Sequence, residues 1–345
     1  MPLQIDSELP RSYYEGDFCP IEFGDRIADR FTVLHKLGYG SYAAVWLVRD
    51  DEERHGRYVA LKVVCADHSH DYVPTAVVSR LEKYKRENGF PGLFVFELEH
   101  VFHTSRNGQH LCQILPVLGP NLSSFNKWGD SEATRLLYPS FVKDFTQQLT
   151  TLLGIAHSLG VCYGSESLLS SWIFDAIVLR FILTTLLDVT IKNVAIRLDK
   201  SLDSLTEQQL SEIFGKMRTG DEKLRGRTFG RPYLDESIKW YFQDMEQSPA
   251  PAYAVETVDL TLLPPEYLTS NVCIFDYDCA FLTEDPPKRL AYIEYDYLAP
   301  ESIFTLTNGP EADVWALGCI PLYLRRPMLP FRDCQLSSGD PKSTC

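Results

Sequence analysis

Two features of the first hundred residues could handle a polyphosphate. Gly38 and Gly40, in KLGYGSYAAV, fall between two alternating apolar runs, Phe31–Leu37 and Val45–Arg49. The alternation predicts two strands with the glycines at the turn between them. No helical pattern follows the glycines, which sets them apart from a dinucleotide fingerprint. A glycine turn between strands suits a flap over a triphosphate, because missing Cβ atoms let backbone N–H groups approach phosphate oxygens. The same pair also serves an ordinary hairpin. Lys62 is a lone cation in the apolar run YVALKVV, 22 residues after Gly40. On one face of a strand it either points to solvent or neutralises phosphate charge.

The chain that must position these groups has 345 residues, enough for one large or two medium domains with a real core. Its 45% hydrophobic and 23% charged residues are ordinary for a globular protein. The net charge of −14, from 47 acidic against 33 basic residues, repels nucleic-acid phosphates and favours basic partners. Nine cysteines without a C-x-x-C pair argue against a zinc ribbon or a disulfide framework and fit a reducing cytoplasm or nucleus. The polar, acidic start MPLQIDSELPRSYYEGD shows no signal peptide, and no membrane association is expected.

LGYGSYAAV followed by VALK resembles the Gly-rich loop and strand-three lysine of protein kinases. FCPIEFGDRIADRFTVLHKLGYGSYAAVWLVRD is similar to the opening of the SR-protein kinases, especially their fungal relatives. GFPGLFVFELEHVFHTSRNGQHLCQILPVLGPNLSSF resembles that family's strands four and five and its hinge. The resemblance implies ATP and Mg²⁺ as cofactors. It implies an ATP site made of Leu37, Gly38, Tyr39, Gly40, Ser41, Val45, Ala60, Lys62 and Leu118. Ala43 stands at the third glycine. Active kinases pair the strand-three lysine with a helix-C glutamate. No glutamate of TAVVSRLEKYKREN falls in register, and Glu82, the nearest, reads as a solvated helix charge.

Apolar residues recurring at Phe141, Phe145, Leu149, Leu152 and Leu153 predict a long amphipathic helix over 133–159. It leads into Gly160–Gly164. With Ser165–Leu187 set aside, the chain reads VCYG-DVTIKNVAI, which resembles the kinase catalytic loop. On that resemblance Asp188 is the catalytic base and Asn193, five residues later, a metal ligand. Tyr163 and Gly164 replace the family's histidine and arginine, and Thr190 stands at the lysine that steadies the γ-phosphate. The 23 residues Ser165–Leu187 approach the length of a membrane span, but Asp175 and Arg180 would each cost about 3 kcal/mol at the bilayer centre. A span would also part Tyr163 from Asp188. Two readings of the segment stand: a buried insertion helix, or translated intron sequence.

After NVAIRL, the leucines and isoleucine of SLDSLTEQQLSEIFGKMRTG recur at helical spacing and predict a short amphipathic helix; residues 200–270 are then polar and Pro-rich and read as a long, partly ordered loop that resembles the spacer of fungal relatives. NVCIFDYDCAF predicts a strand ending in Asp276-Tyr277-Asp278. This resembles Asp-Phe-Gly, with Asp276 as second Mg²⁺ ligand and Asp278 at the hinge glycine. Ala299-Pro300-Glu301 matches Ala-Pro-Glu. ADVWALGC matches the start of helix F, where Asp313 would tie the catalytic-loop backbone. Pro321, Pro327 and Pro330 predict that this helix is short.

The fold expected from this resemblance is α+β and bilobal, protein kinase-like. It has an antiparallel N-lobe sheet plus a helix over 31–120 and a mainly helical, truncated C-lobe over 121–320. Residues 1–30 are an N-terminal extension and 321–345 an atypical tail. The implied activity is transfer of the ATP γ-phosphate to serine or threonine hydroxyls, with Lys62 and Asp188 as catalytic residues and Arg/Ser-rich proteins as substrates. Thr190, Asp278 and the missing helix-C glutamate leave two alternatives: a pseudokinase that binds nucleotide or a partner without catalysis, and a non-functional truncated product.

Overall fold

The structure is a computed structural model. It describes residues 8, 10–13, 16–70, 75–89, 92–127, 139–163, 190–199, 202–214, 219–223, 251, 253–277, 280–286, 299–305 and 309–325. The fold is α+β and divides into two units. The first comprises 1–74, 95–120 and 196–269, the second 75–94, 121–195 and 270–345.

The first unit is built on a six-stranded antiparallel sheet: β1 (Arg26–Ile27), β2 (Phe31–Tyr39), β3 (Ala43–Asp50), β4 (Tyr58–Val64), β5 (Glu99–Ser105) and β6 (Gly108–Leu115), in the order β1-β2-β3-β4-β6-β5. Period-two alternation sends Ala44, Trp46 and Val48 of β3 to one face, with Val59, Leu61 and Val63 of β4 beside them. The N-terminal segment covers this face with Tyr13, Phe18, Cys19 and Ile21. Asn107, in the β5–β6 turn, lashes that segment down by donating from Nδ2 to the carbonyls of Tyr13 (2.9 Å) and Phe18 (2.7 Å).

The opposite face carries Leu47 and Tyr58. It packs against Leu202, Leu205 and Leu263, and against Leu210 and Phe214 of α3 (Glu207–Phe214). Leu202, Leu205, Leu210 and Phe214 lie in the segment where the sequence predicts a short amphipathic helix, and α3 is that helix; Leu263 lies further along the 200–270 stretch read as a partly ordered loop. Its described parts hold α3, the paired strands β9 (Thr219–Lys223) and β10 (Tyr253–Val255), and 3-10 turns at 202–204, 260–262 and 265–267. The physical reason is the spacing of its few apolar residues, which meet as one patch on the sheet. Tyr58 anchors the patch: its N–H donates to Asp203 Oδ1 (2.9 Å) and its hydroxyl to Leu205 O (3.0 Å).

The second unit is mainly helical, with α1 (Ala76–Asn88), α2 (Pro139–Ser158), α4 (Pro300–Thr305) and α5 (Pro310–Arg325). In α2, Val142, Phe145, Leu149, Leu152, Leu153 and Ala156 are buried on one face, as the periodicity requires. Residues 128–138 of the expected helix lie outside the described residues. Gly160, at φ +67°, ends the α2 turn where a side chain would be strained. The chain then enters β7 (Val161–Cys162), which pairs with β12 (Phe281–Leu282). β8 (Val194–Leu198) pairs with β11 (Leu268–Ile274). Helix α5 is longer than the short helix that the prolines predict, since it passes Pro321 and runs on to Arg325. A proline in the final turns of a helix forfeits a single backbone hydrogen bond, and the buried Ala316, Cys319 and Ile320 hold the helix in place around it.

One buried ion pair ties the β1–β2 corner to β3. Arg30, 6% exposed, donates to both Asp50 oxygens at 2.6 and 2.7 Å, and its Nη1 reaches Glu99 at 2.9 Å. Asp50 is fully buried, which by itself raises its pKa, but the Arg30 hydrogen bonds win and hold the carboxyl below the usual range. A depressed folded-state pKa contributes stability above the unfolded value and loses it as pH falls through the folded one. Asp50→Asn should therefore cost the first unit about 3 kcal/mol in urea unfolding at neutral pH. The difference between wild type and variant should shrink as pH drops below about 4.

Candidate functional site

Of the sequence-predicted nucleotide residues of the first unit, Val45, Ala60 and Lys62 share one sheet face, whereas Tyr39 opposes Ala44 of the other face. Gly38, Val45, Lys62 and Gln113 form a row of directly opposed residues across β2, β3, β4 and β6. The next row places Leu47 opposite Ala60 and Ala60 opposite Leu115. Val45 and Lys62 are half-buried on this face, and Ala60 is buried. Leu37 and Val117 flank it. Leu118, also half-buried, precedes a segment fixed by reciprocal bonds, Gly119 N–H to Ile196 O (2.9 Å) and Ile196 N–H to Pro120 O (3.0 Å). Beside Lys62, Gln113 donates from Nε2 to Glu97 Oε2 at 2.8 Å, and His100 Nδ1 lies 3.1 Å from Glu97 Oε1.

The turn Gly38–Ser41 is exposed over most of its length. It closes through Gly40 N–H to Ala43 O at 2.8 Å. Neither glycine has positive φ, and a Cβ added to either would meet nothing within 4 Å. The fold does not need glycine at either position. What glycine leaves there is open space beside backbone N–H groups.

In the second unit the backbone of Asn193 lies beside that of Phe275, the residue before Asp276. The Phe275 N–H donates to Asn193 O at 3.1 Å, which sets the residue after Phe275 beside the Asn193 turn. Asp276 itself is left-handed, at φ +66°, an uncommon conformation for an aspartate that re-aims the chain at the end of β11. Tyr277 is buried and donates its hydroxyl to Ile274 O (2.9 Å), and its ring packs against the Tyr163 ring at 5.9 Å. The Asn193 turn is built by Thr190. Its carbonyl accepts from Asn193 N–H (3.1 Å) and its buried hydroxyl accepts from Lys192 N–H (3.2 Å). Asp188 and Asp278 lie outside the described residues, as does Ser165–Leu187.

Asp313 of α5 is 2% exposed and takes two hydrogen bonds on Oδ2, from the Tyr163 N–H (3.0 Å) and from His157 Nε2 (2.9 Å). Burial raises its pKa despite both bonds. The expected tie to the chain entering the catalytic loop is present, and His157 is a second partner that sequence reasoning missed. Its position in the last turn of α2 was the available signal. Arg80 was also missed. From α1 it donates to Leu159 O (3.0 Å) and pairs with Glu284 (2.5 Å), so the helix is tied through an arginine. Glu82 takes part in none of the ion pairs among the described residues. Ala299 is buried and Pro300 opens α4, giving the Ala-Pro-Glu segment a fixed place at a helix start.

Asp313→Ala should leave the buried Tyr163 N–H without its acceptor, costing the second unit about 2–3 kcal/mol. Hydrogen exchange should show the Tyr163 amide opening about 30-fold faster, while the β3 and β4 amides keep their rates.

No protein-family model matches the chain. Among curated proteins, the chain is 33% identical over 159 residues to SRSF protein kinase 3 of Homo sapiens, covering 44% of this chain and 27% of that one. It is 32% identical over 120 residues to serine/threonine-protein kinase spk-1 of Caenorhabditis elegans, covering 34% and 12%. It is 28% identical over 171 residues to a serine/threonine protein kinase of Aspergillus fumigatus, covering 49% and 42%. The chain thus spans less than half the length of these relatives. Among solved structures, the crystal structure of a kinase domain aligns with 90% of this chain and 69% of its own at 15% identity and a TM-score of 0.49. Over the residues that match, the chain is SR-protein-kinase-like, and its relatives are serine/threonine protein kinases.

Proposed function

We propose that this chain transfers the γ-phosphate of ATP to serine or threonine hydroxyls of protein substrates. The observation that supports this reading is the Phe275–Asn193 backbone hydrogen bond, which joins the segment that carries Asn193 to the one that carries Asp276. Amide and carboxylate oxygens are the donors that Mg²⁺ takes, so Asn193 and Asp276 fit that ion. Bound there, Mg²⁺ would offset charge between the β- and γ-phosphates. Lys62 would hold phosphate oxygens as a point charge. The turn Gly38–Ser41 would lay backbone N–H groups over the phosphates, with Leu37, Val45, Ala60 and Leu118 as apolar contacts for the base. Asp188 would orient the substrate hydroxyl and take its proton. Basic Arg/Ser-rich segments are the proposed substrates. The net charge of −14 and the names of the relatives support them. A cytoplasmic or nuclear setting follows from the same reading. No helix among the described residues is long and apolar enough to cross a membrane.

A second reading, nucleotide binding without turnover, draws on one observation. Thr190 stands where the relatives' lysine is expected, and its buried hydroxyl is turned onto the Lys192 amide. Phosphate transfer to an Arg/Ser peptide separates the two. Under the first reading the full chain phosphorylates the peptide and Asp188→Ala abolishes transfer. Under the second, MgATP raises the melting temperature and no transfer is detected. Absence of both would contradict either reading. Gly40→Ala should leave the melting temperature unchanged, since the added methyl meets nothing. It should weaken MgATP binding about tenfold, a cost of about 1.4 kcal/mol for crowding the phosphate approach.

A further inference from the structure

Lys36 is a lysine buried to 1% exposure in β2, two residues before the glycine turn. Its ammonium pairs with Glu8, itself 3% exposed, and lies 3.4 Å from Val255 O. The Tyr39 ring centroid is 5.0 Å from the same nitrogen and the Trp46 ring 5.6 Å. Two remote segments therefore converge on one cation: the N-terminal segment through Glu8, and 253–258 through its backbone. The second segment also extends the sheet. Thr257 bridges Lys36 in parallel, and Val258 N–H donates to Lys36 O at 2.8 Å.

Burying an ion pair is costly and is weak support for stability, since apolar residues of the same volume commonly do as well. Such a pair fixes position. Here the positioned element is Tyr39, which stands between Gly38 and Gly40 at the tip of β2 and is 39% exposed. A cation held under an aromatic face attracts the ring and restricts its swing.

We propose that Lys36 is a positioning residue for the glycine turn: Glu8 and the 255–258 strand lock its ammonium under Tyr39, so these two segments set where the turn rests over a nucleotide phosphate. This rests on the reading of the turn as the nucleotide flap. Lys36 acts through Tyr39 and the strand, without touching the nucleotide.

The test is a double-mutant cycle on the full chain, with the Kd for MgATP measured by calorimetry. Glu8→Gln and Tyr39→Leu should each weaken binding about fivefold, the scale of one cation–π contact. The double variant should be no weaker than the weaker single, because both changes undo the same lock. Additive losses, or a Kd unmoved by Glu8→Gln, would overturn the positioning role while leaving the nucleotide site standing. Wild type that fails to bind MgATP would overturn the site and the role together. Should Glu8→Gln fail to fold, hydrogen exchange on wild type decides. Reciprocity requires that saturating MgATP slow exchange of the Val258 amide by about threefold or more. An unchanged Val258 rate would overturn the proposal.

Discussion

The Phe275 N–H to Asn193 O hydrogen bond is the constraint on which the proposed metal site of the second unit depends. Asn193 and Asp276 are far apart in sequence, and their side chains can serve one ion only if the backbone brings them to a common place. The bond joins their backbone segments at the end of β11, and the left-handed Asp276 that follows turns the chain there. Thr190 shapes the Asn193 side of the corner. Behind it, Tyr163 and Tyr277 pack ring against ring, and Asp313 takes the Tyr163 amide. Each of these contacts holds a backbone segment rather than a ligand. The donors are thereby supported by groups whose own positions are fixed by packing and hydrogen bonds.

Much of the sheet was legible in the sequence because its signals are local. Strand alternation, a glycine turn and a lysine in an apolar run are short patterns, and β2, β3 and β4 fall where those patterns predict. The helical period of α2 was equally plain at Phe145, Leu149 and Leu152. The resemblance offers Asn193 and Asp276 as metal ligands, but only the fold shows the Phe275 N–H to Asn193 O bond between their segments. The Asp313 tie was legible from the resemblance, whereas His157 and Arg80 act across the fold and leave little trace in local spacing.

The misreadings have a common physical origin. Beyond the short helix predicted at its start, the 200–270 stretch read as a partly ordered loop because its apolar residues are sparse and prolines frequent. Yet Leu202, Leu205, Leu210, Phe214 and Leu263 need only meet once, on the sheet face that carries Leu47 and Tyr58. The setting of Lys36 was not legible in the sequence, because its partners lie 28 and 219 positions away. The α5 helix read as short because the sequence displays the proline penalty and hides the tertiary packing that outweighs it. In each case a long-range contact overrode a local signal.

The central claim is that Asn193 and Asp276 hold the same cation beside the phosphates of ATP. The most direct measurement is calorimetric binding of ATP with and without Mg²⁺ to wild type, Asn193→Ala, Asp276→Asn and the double variant. The account predicts Mg²⁺-dependent binding in wild type, a loss in each single variant, and a double variant little worse than the weaker single. ATP binding that ignores Mg²⁺, or losses that add as for independent sites, would contradict it.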